Sequence, residues 1–476
     1  MKQRSVHIPD VKQEFDGVDF SDSRLDDRCH LIVDRIKTDP ETPFPQAMGN
    51  DNDTQGFYRF CANQAADMAT INTPHFNNTA RRIDRTGETI VCHDTTTYAP
   101  ASASQEDGFY EVTSNTYGLN IHLALASDAE TGLPLGVAGG RVVDPPPAKE
   151  YSDEQGQKKK RTPQSIWRDP DKQSRRWFET VTEVEERVEA PETLLHLLDS
   201  DADSYEAFAH LCGSRFICRL KHNRKVPVGD EQSDPRQLFE LLDDAPVFME
   251  RQITVGPRKN PKQPKRKKTH PSRESRLAKL EIHAQEVTLQ RPGDLPKSMP
   301  ESLTFNAVAV REIDPPEGCK PISWNLLTSE PITTAEEVTA VVDNYAKRWR
   351  IEEYYDVLKN GCALSKRLPE SRQSAEAVIA LLIPMAWQLL WLRQLERQRS
   401  TAPADLVFPK QRLRILRARL PKGTLPPRAS VRHVLAAIAQ LGGHLSHNGP
   451  PGWRVLWRGY KDFTSFERGW RAAQGD

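Results

Sequence analysis

The chain has no surplus of either charge: Lys plus Arg and Asp plus Glu each number 66 in 476 residues. That excludes a protein coated in basic residues, yet permits basic patches offset by acidic ones. Cysteine is sparse and unpatterned. The seven (Cys29, Cys61, Cys92, Cys212, Cys218, Cys319, Cys362) form no C-x-x-C pair. An odd, scattered set argues against a disulfide framework or a zinc site and suits reduced thiols in a cytoplasm. The opening MKQRSVHIPD lacks the apolar core of a signal peptide. Long apolar runs are absent too. The longest, around Ala377 to Leu392, is interrupted by Pro384 and Gln388; it is predicted to be too short for a bilayer and to form a buried helix. No repeat of fixed period is visible. Hydrophobic content of 37% with 28% charge describes a polar, folded chain long enough for two or three domains.

In order, residues 1 to about 70 predict a small helical module. Leu25, Ile32, Val33 and Ile36 form one stripe, a P-E-T-P-F-P loop follows from Pro40, and a second helix opens near Asp53. Such a module could bind DNA, with Arg59 between Tyr58 and Phe60 as a phosphate contact or a plain surface cation. From residue 86 the pattern turns to strands. Glu88-T-I-V-C-H-D-T-T-T places Asp94 near a strand exit, and the runs from Gly118 and Leu133 predict a hairpin. A helix is expected from Ser174 to about Arg187. Thr193-L-L-H-L-L-D-S-D-A-D predicts a buried strand with Asp199, Asp201 and Asp203 at its end. Tyr205 to Leu211 predicts a helix, and Arg215-F-I-C-R-L-K-H-N-R-K a strand with a basic tip.

Residues 235 to about 320 interrupt this layout with three β-like runs, and Arg251 to Leu280 holds eleven Lys/Arg against one acid, Glu274. That stretch, with Pro264-K-R-K-K-T at its centre, suits a phosphate backbone better than a bare solvated loop. Trp324-N-L-L-T-S-E-P returns to the main sheet, and Thr334 is placed to cap the next helix. After Pro369 the chain is predicted helical to about Leu395, then basic and Pro-punctuated from Pro403 to Arg428. Trp453, Leu456, Trp457 and Tyr460 are spaced as an amphipathic seam, suited to core packing or to self-association. The expected architecture is α/β: a mixed sheet of the ribonuclease H type in residues 71–370, carrying the β insertion. A helical DNA-binding domain (1–70) and a C-terminal helical dimerisation domain (371–476) flank it.

The most informative stretch is Tyr345-A-K-R-W-R-I-E-E-Y-Y-D-V-L-K, free of Gly and Pro. Taken as one helix, Tyr345, Arg348, Glu352 and Lys359 share a stripe about 60° wide, with Ile351 and Leu358 beside it as an anchor. An Arg-Glu pair at i,i+4 is ordinary surface chemistry. The sharper reading takes Glu352 as a metal ligand with Asp94 and Asp199, because clustered carboxylates need cations to stay ionised. Oxygen-only ligands favour Mg²⁺, with Mn²⁺ able to substitute, over zinc. Two such ions per active site suit phosphodiester chemistry. His93 and His122 read as strand residues rather than ligands.

H-D-T-T-T at Asp94, L-L-D-S-D-A-D at Asp199 and the Tyr-(2)-Arg-(3)-Glu-(6)-Lys spacing together resemble the DDE transposases of the insertion-sequence-four group. The similarity extends to G-F-Y-R-F near the start, the β insertion and the L-G-G…W ending. The resemblance implies a cut-and-paste enzyme. It would bind double-stranded DNA at terminal inverted repeats, pair two ends as a homodimer, nick and hairpin them, and join them to target DNA. It implies that Asp94, Asp199 and Glu352 are the catalytic metal ligands. Tyr345, Arg348 and Lys359 would hold phosphates around a flipped base, and Trp324, 28 residues before Glu352, would stack on that base. Arg59, Arg215, Arg219, Lys221 and Arg224 lie in segments resembling DNA-contacting ones. It also implies a bacterial, nucleoid-associated setting. Ser200 and Asp356 replace basic residues of the family pattern, and the P-E-T-P-F-P loop lacks its lysines; all three changes subtract positive charge near DNA. A catalytically silent, transposase-derived regulator is the competing reading, and the intact triad favours the enzyme.

Overall fold

The computed structural model describes residues 10–37, 40–113, 115–143, 173–228, 234–257, 274–398, 401–445, 447 and 451–474. The Lys158–Arg161 run and the centre of the basic Arg251–Leu280 stretch lie outside them. A 3-10 turn, Val11–Phe15, precedes α1 (Ser23–Ile36), α2 (Phe44–Met48), α3 (Asp51–Cys61) and α4 (Met68–Asp84). Strands β1 (Thr89–Tyr98), β2 (Tyr110–Thr113), β3 (Thr116–Asp128) and β4 (Pro134–Val143) follow. Then come α5 (Arg176–Glu185), β5 (Leu194–Leu198), α6 (Tyr205–His210), β6 (Phe216–Arg219), β7 (Lys225–Val226) and β8 (Arg236–Gln237). After α7 (Leu238–Asp244) run β9 (Val247–Val255), β10 (Arg276–Gln290), β11 (Ser302–Ile313) and β12 (Ser323–Thr328). The rest is helical: α8 (Ala335–Ala346), α9 (Trp349–Asp356), α10 (Arg372–Gln398), α11 (Lys410–Arg419), α12 (Val431–Leu441) and α13 (Trp453–Gln474). The chain is therefore mixed α/β, with helices at both ends.

Two compact units divide it: Met1–Pro145, Thr180–Thr193 and Trp349–Asp476 in the first, Pro146–Glu179 and Leu194–Arg348 in the second. In the first, β3 is central, pairing antiparallel with β1, with β4 and, at its start, with β2. The hairpin expected from the runs at Gly118 and Leu133 is β3–β4. In the second, β5 and β6 are parallel, and β6, β12, β11, β10 and β9 continue in antiparallel order. The three insertion strands are thus β9, β10 and β11. Thr334 caps α8 in a reciprocal box with Glu337, which satisfies donors at both positions.

Three local expectations change. The P-E-T-P-F-P segment is not all loop: Pro43 caps α2 and Pro45 lies in its first turn, where a missing N–H costs nothing. β1 runs four residues past Asp94, because Thr95, Thr96 and Thr97 go on pairing with His122, Ile121 and Asn120. Helix α10 passes straight through Pro384. A proline there cannot bond the carbonyl four residues back, that of Ala380, and the buried Asn72 side chain of α4 donates to that carbonyl instead at 2.8 Å. Arg372–Leu395 is consequently 24 residues long, enough by length and composition to cross a membrane, but 94% of its most apolar stretch is buried within the fold. It is a core helix with close to the expected bounds, and what changes is the expectation that its apolar part is too short for a bilayer.

The first unit closes around one buried carboxylate. Glu14, in the opening 3-10 turn, accepts from Arg82 through both oxygens at 2.8 and 3.0 Å and sits 2.6 Å from His75 Nδ1. The backbone N–H of Val137 in β4 donates to His75 Nε2 at 3.1 Å. Nε2 is therefore an acceptor, His75 is neutral, and its proton is on Nδ1, pointing at Glu14. Burial holds the His75 pKa below its ordinary value, in keeping with the neutral ring. The Arg82 guanidinium lies 4.3 Å over the Trp387 ring of α10, whose indole N–H donates to Pro134 O at 3.0 Å. Gly136, at φ +148, lies so close to α4 that a Cβ would stand 2.0 Å from Thr79 Oγ1; only glycine fits.

Burial alone would raise the Glu14 pKa, but hydrogen bonds from His75 and Arg82 and the charge of Arg82 outweigh that and hold it at about 2, from 4.5. A depressed folded-state pKa means stability that is complete above pH 4.5 and lost as pH falls towards 2. The amount is on the order of 3 kcal/mol. Urea titrations of Glu14→Gln should show a flatter loss of stability between those pH values than the parent shows. At neutral pH, Glu14→Ala, which leaves Arg82 without its carboxylate, should cost roughly 3–5 kcal/mol.

Candidate active site and nucleic-acid interface

The stripe on Tyr345–Lys359 is divided. Lys347 and Arg348 donate their backbone N–H groups three residues back, to Asn344 O and Tyr345 O at 2.9 and 3.0 Å. This tight turn ends α8 before α9 begins. After α9, Val357–Gly361 widens into a π turn, closed by Cys362 N–H on Val357 O at 2.9 Å. A constant 100° per residue therefore does not hold across the segment. Tyr345 and Arg348 belong to the second unit, Glu352 and Lys359 to the first. Ile351 and Leu358 are fully buried anchors, as their spacing implied.

In the first unit, Asp94 is half-buried in β1 opposite Leu123. Its Oδ1 accepts from Thr95 N–H at 2.8 Å. Glu352, also half-buried, occupies the first turn of α9. One turn further along that helix, the Tyr355 hydroxyl donates to Asp94 O at 2.7 Å, so α9 is fastened to β1 at the very residue the sequence singled out. Spacing on the helix could have singled out Tyr355, three residues after Glu352, but its target was not legible. His93 and His122 are fully buried, their rings stacked at 5.9 Å, as strand residues rather than exposed ligands.

In the second unit, Asp199 follows β5 directly and caps a 3-10 turn, Ser200–Ala202, by accepting from Asp201 N–H at 2.6 Å. Ser200 thus lies inside the turn that Asp199 starts. Asp203, almost fully buried, accepts from the backbone N–H groups of Lys221 and His222 at 2.7 and 2.8 Å. It also pairs with Arg224. The carboxylate four residues after Asp199 therefore ties down the basic tip that follows β6, a role its sequence position did not reveal.

The predicted DNA contacts separate into two kinds. Arg59 and Arg219 are exposed, and Lys221 is exposed with its ammonium 2.9 Å from Asp201. Arg215 is instead held by both oxygens of Glu330 at 2.9 and 2.7 Å, and Arg224 by Asp203. Trp324, half-buried in β12, meets the Tyr345 ring edge-on at 5.5 Å. Tyr345 is only 5% exposed, and burial raises its phenol pKa above the ordinary value. Lys359 lies in the π turn and Asp356, at the end of α9, accepts from Asn360 Nδ2 at 2.8 Å.

Asp94, Asp199 and Glu352 offer oxygen only, the donor chemistry of a hard divalent ion. Asp94 and Glu352 belong to one unit and Asp199 to the other. Among the described residues, no group of three or more His, Cys, Asp or Glu is gathered to hold a metal. No disulfide joins any of the seven cysteines.

Asp203→Ala would remove the buried acceptor of two backbone N–H groups and of Arg224, and should lower stability by roughly 3–5 kcal/mol. Asp201→Ala, at an exposed pair, should shift it by less than about 0.5 kcal/mol. Chemical denaturation of the two variants checks the contrast.

Residues 11–66 match the family model described as transposase DNA-binding. They run from the 3-10 turn through α1, α2 and α3 into the approach to α4. Seven chains of known structure match. One is a cryo-EM structure of the piggyBac transposase synaptic complex with hairpin DNA, at 11% identity over 96% of this chain and 80% of that one. Its TM-score of 0.32 is too low to establish a common fold. The helical opening of this chain is therefore similar to transposase DNA-binding domains, over residues 11–66.

Proposed function

We propose that the chain is a DDE-type cut-and-paste transposase of the insertion-sequence-four kind, built on a ribonuclease H-like sheet. The observation that carries this reading is the transposase DNA-binding match over residues 11–66, in a chain that also contains the three carboxylates and the Tyr-Arg-Glu-Lys spacing. The fastening of α9 to Asp94 through Tyr355 supports it, since a helix carrying one acid is docked on the strand carrying another.

In this reading the N-terminal module binds the terminal inverted repeats, and residues 371–476 pair two copies into a homodimer on DNA. Arg59, Arg219 and Lys221 meet phosphates. Tyr345, Arg348, Lys359 and Trp324 manage the base flipped near the cut, Trp324 by stacking on it, which offsets part of the cost of unpairing. Arg215 and Arg224 exchange or share their carboxylates when phosphate arrives. Asp94, Asp199 and Glu352 hold Mg²⁺. Two such ions, when bound, would activate a water or a 3′-hydroxyl and stabilise the leaving oxygen. The residues nick each end, form a hairpin, reopen it and join the end to target DNA. A bacterial cytoplasm, at the nucleoid, is the matching setting.

Asp94→Ala, Asp199→Ala and Glu352→Ala should each abolish Mg²⁺-dependent nicking of a terminal-repeat duplex while leaving its binding intact. Cleavage retained by any one variant removes that residue from the triad. Trp324→Ala should slow hairpin formation more than first-strand nicking in a gel time course; equal slowing would count against stacking.

A further inference from the structure

The basic, Pro-punctuated stretch near the C-terminus has no role in the scheme above. Between Lys410 and Arg432 there are eight Lys/Arg and no Asp or Glu, in a chain whose charges balance as a whole. Two of these cations are spoken for: Arg412 pairs with Glu467 and Arg419 with Asp462, at 2.9 and 3.0 Å. The others, Lys410, Arg414, Arg417, Lys422, Arg428 and Arg432, are exposed.

Their arrangement is not scattered. Lys410, Arg414 and Arg417 follow an i, i+4, i+7 pattern and so share a stripe about 60° wide on α11. Leu413, Ile415 and Leu416 are the buried residues of the same helix. The Arg417 guanidinium donates to Pro426 O and Pro427 O at 3.2 and 3.1 Å, folding the following loop back onto α11. Arg428 thereby joins Lys410 and Arg417 around a cavity of about 600 Å³, in which Asp405 is the acidic lining residue. A three-dimensional cluster of four cations results, from a loop and a helix that the sequence lists only as a run.

We propose that this face binds the phosphate backbone of duplex DNA without regard to sequence, as a second site separate from the N-terminal module. The stripe spans ~10 Å of helix rise, while a duplex carries one charge per about 1.7 Å of axis. Several phosphates therefore fall within reach. A second copy of the chain fits less well, because a two-fold contact would set these cations against themselves. The role as a target or flanking-DNA contact rests on the transposase reading; the binding itself does not.

The test uses the full chain and fluorescence anisotropy with a random-sequence duplex lacking any terminal repeat. Lys410→Ala/Arg414→Ala/Arg428→Ala spares Arg417, which ties the loop. Each lost phosphate contact removes about 0.9 from the slope of log affinity against log salt, so the slope should flatten by about 3. The drop in affinity between about 50 and 200 mM salt should then shrink by roughly 40-fold. Lys410→Arg/Arg414→Lys/Arg428→Lys should restore the parent slope. A triple Gln variant serves should the Ala variant melt early. An unchanged slope in the neutralised variants overturns the proposal, as does loss of single-stranded RNA binding with duplex binding intact. Failure of Mg²⁺-dependent nicking would sink the transposase reading and leave this measurement standing.

Discussion

A carboxylate removed from water, that of Glu14, is the constraint around which the first unit is assembled. A buried charge is costly unless it is paired and hydrogen-bonded, and both partners of this one come from a single helix that is itself tied to two other parts of the unit. Arg82 and His75 belong to α4, His75 is fixed in turn by the β4 backbone at Val137, and Arg82 lies over Trp387 of α10. The N-terminal helices, the edge of the first sheet and the C-terminal core helix are thereby held to one another inside the unit. Nothing less than all of these elements folding together satisfies the carboxylate. The opening of the chain thus shares one compact unit with α10.

The second unit uses the same device on a smaller scale. Asp203 lies behind the turn that Asp199 caps, and it accepts from the backbone at Lys221 and His222 while facing Arg224. The result is a loop of acids and a loop of cations pinned to each other beside the parallel pair β5 and β6. In the proposed reading these side chains act on a phosphodiester and have to be held in place before the substrate arrives. A buried carboxylate accepting two N–H groups is a stiff way of doing so. Arg215, locked onto Glu330, shows the other side of this economy: a cation that resembles a DNA contact in sequence can serve as a structural strut.

Much of the layout was legible in the residues. Period-2 runs marked the β3–β4 hairpin and the three insertion strands, Thr334 marked the start of α8, and the acids fell where strands and helices could present them. The interrupted apolar run was rightly a core helix. It runs through Pro384, as expected, because Asn72 supplies the missing donor to Ala380 O. The wheel over Tyr345–Lys359 failed. A wheel assumes one pitch, and the backbone tightens at Lys347–Arg348 and loosens at Val357–Gly361.

Local information, then, determined by itself the α/β class, the positions of most elements, the absence of cysteine pairing and the candidate acids, because periodicity, capping and turn chemistry act over a few residues. Partners distant in sequence were decided only by tertiary structure: Glu14 with Arg82, Asp203 with the tip after β6, Tyr355 with the Asp94 carbonyl, and Arg428 with Lys410 and Arg417. The physical reason is that a buried polar group must be matched wherever the packed chain brings a complementary one. No spacing rule encodes which one that will be.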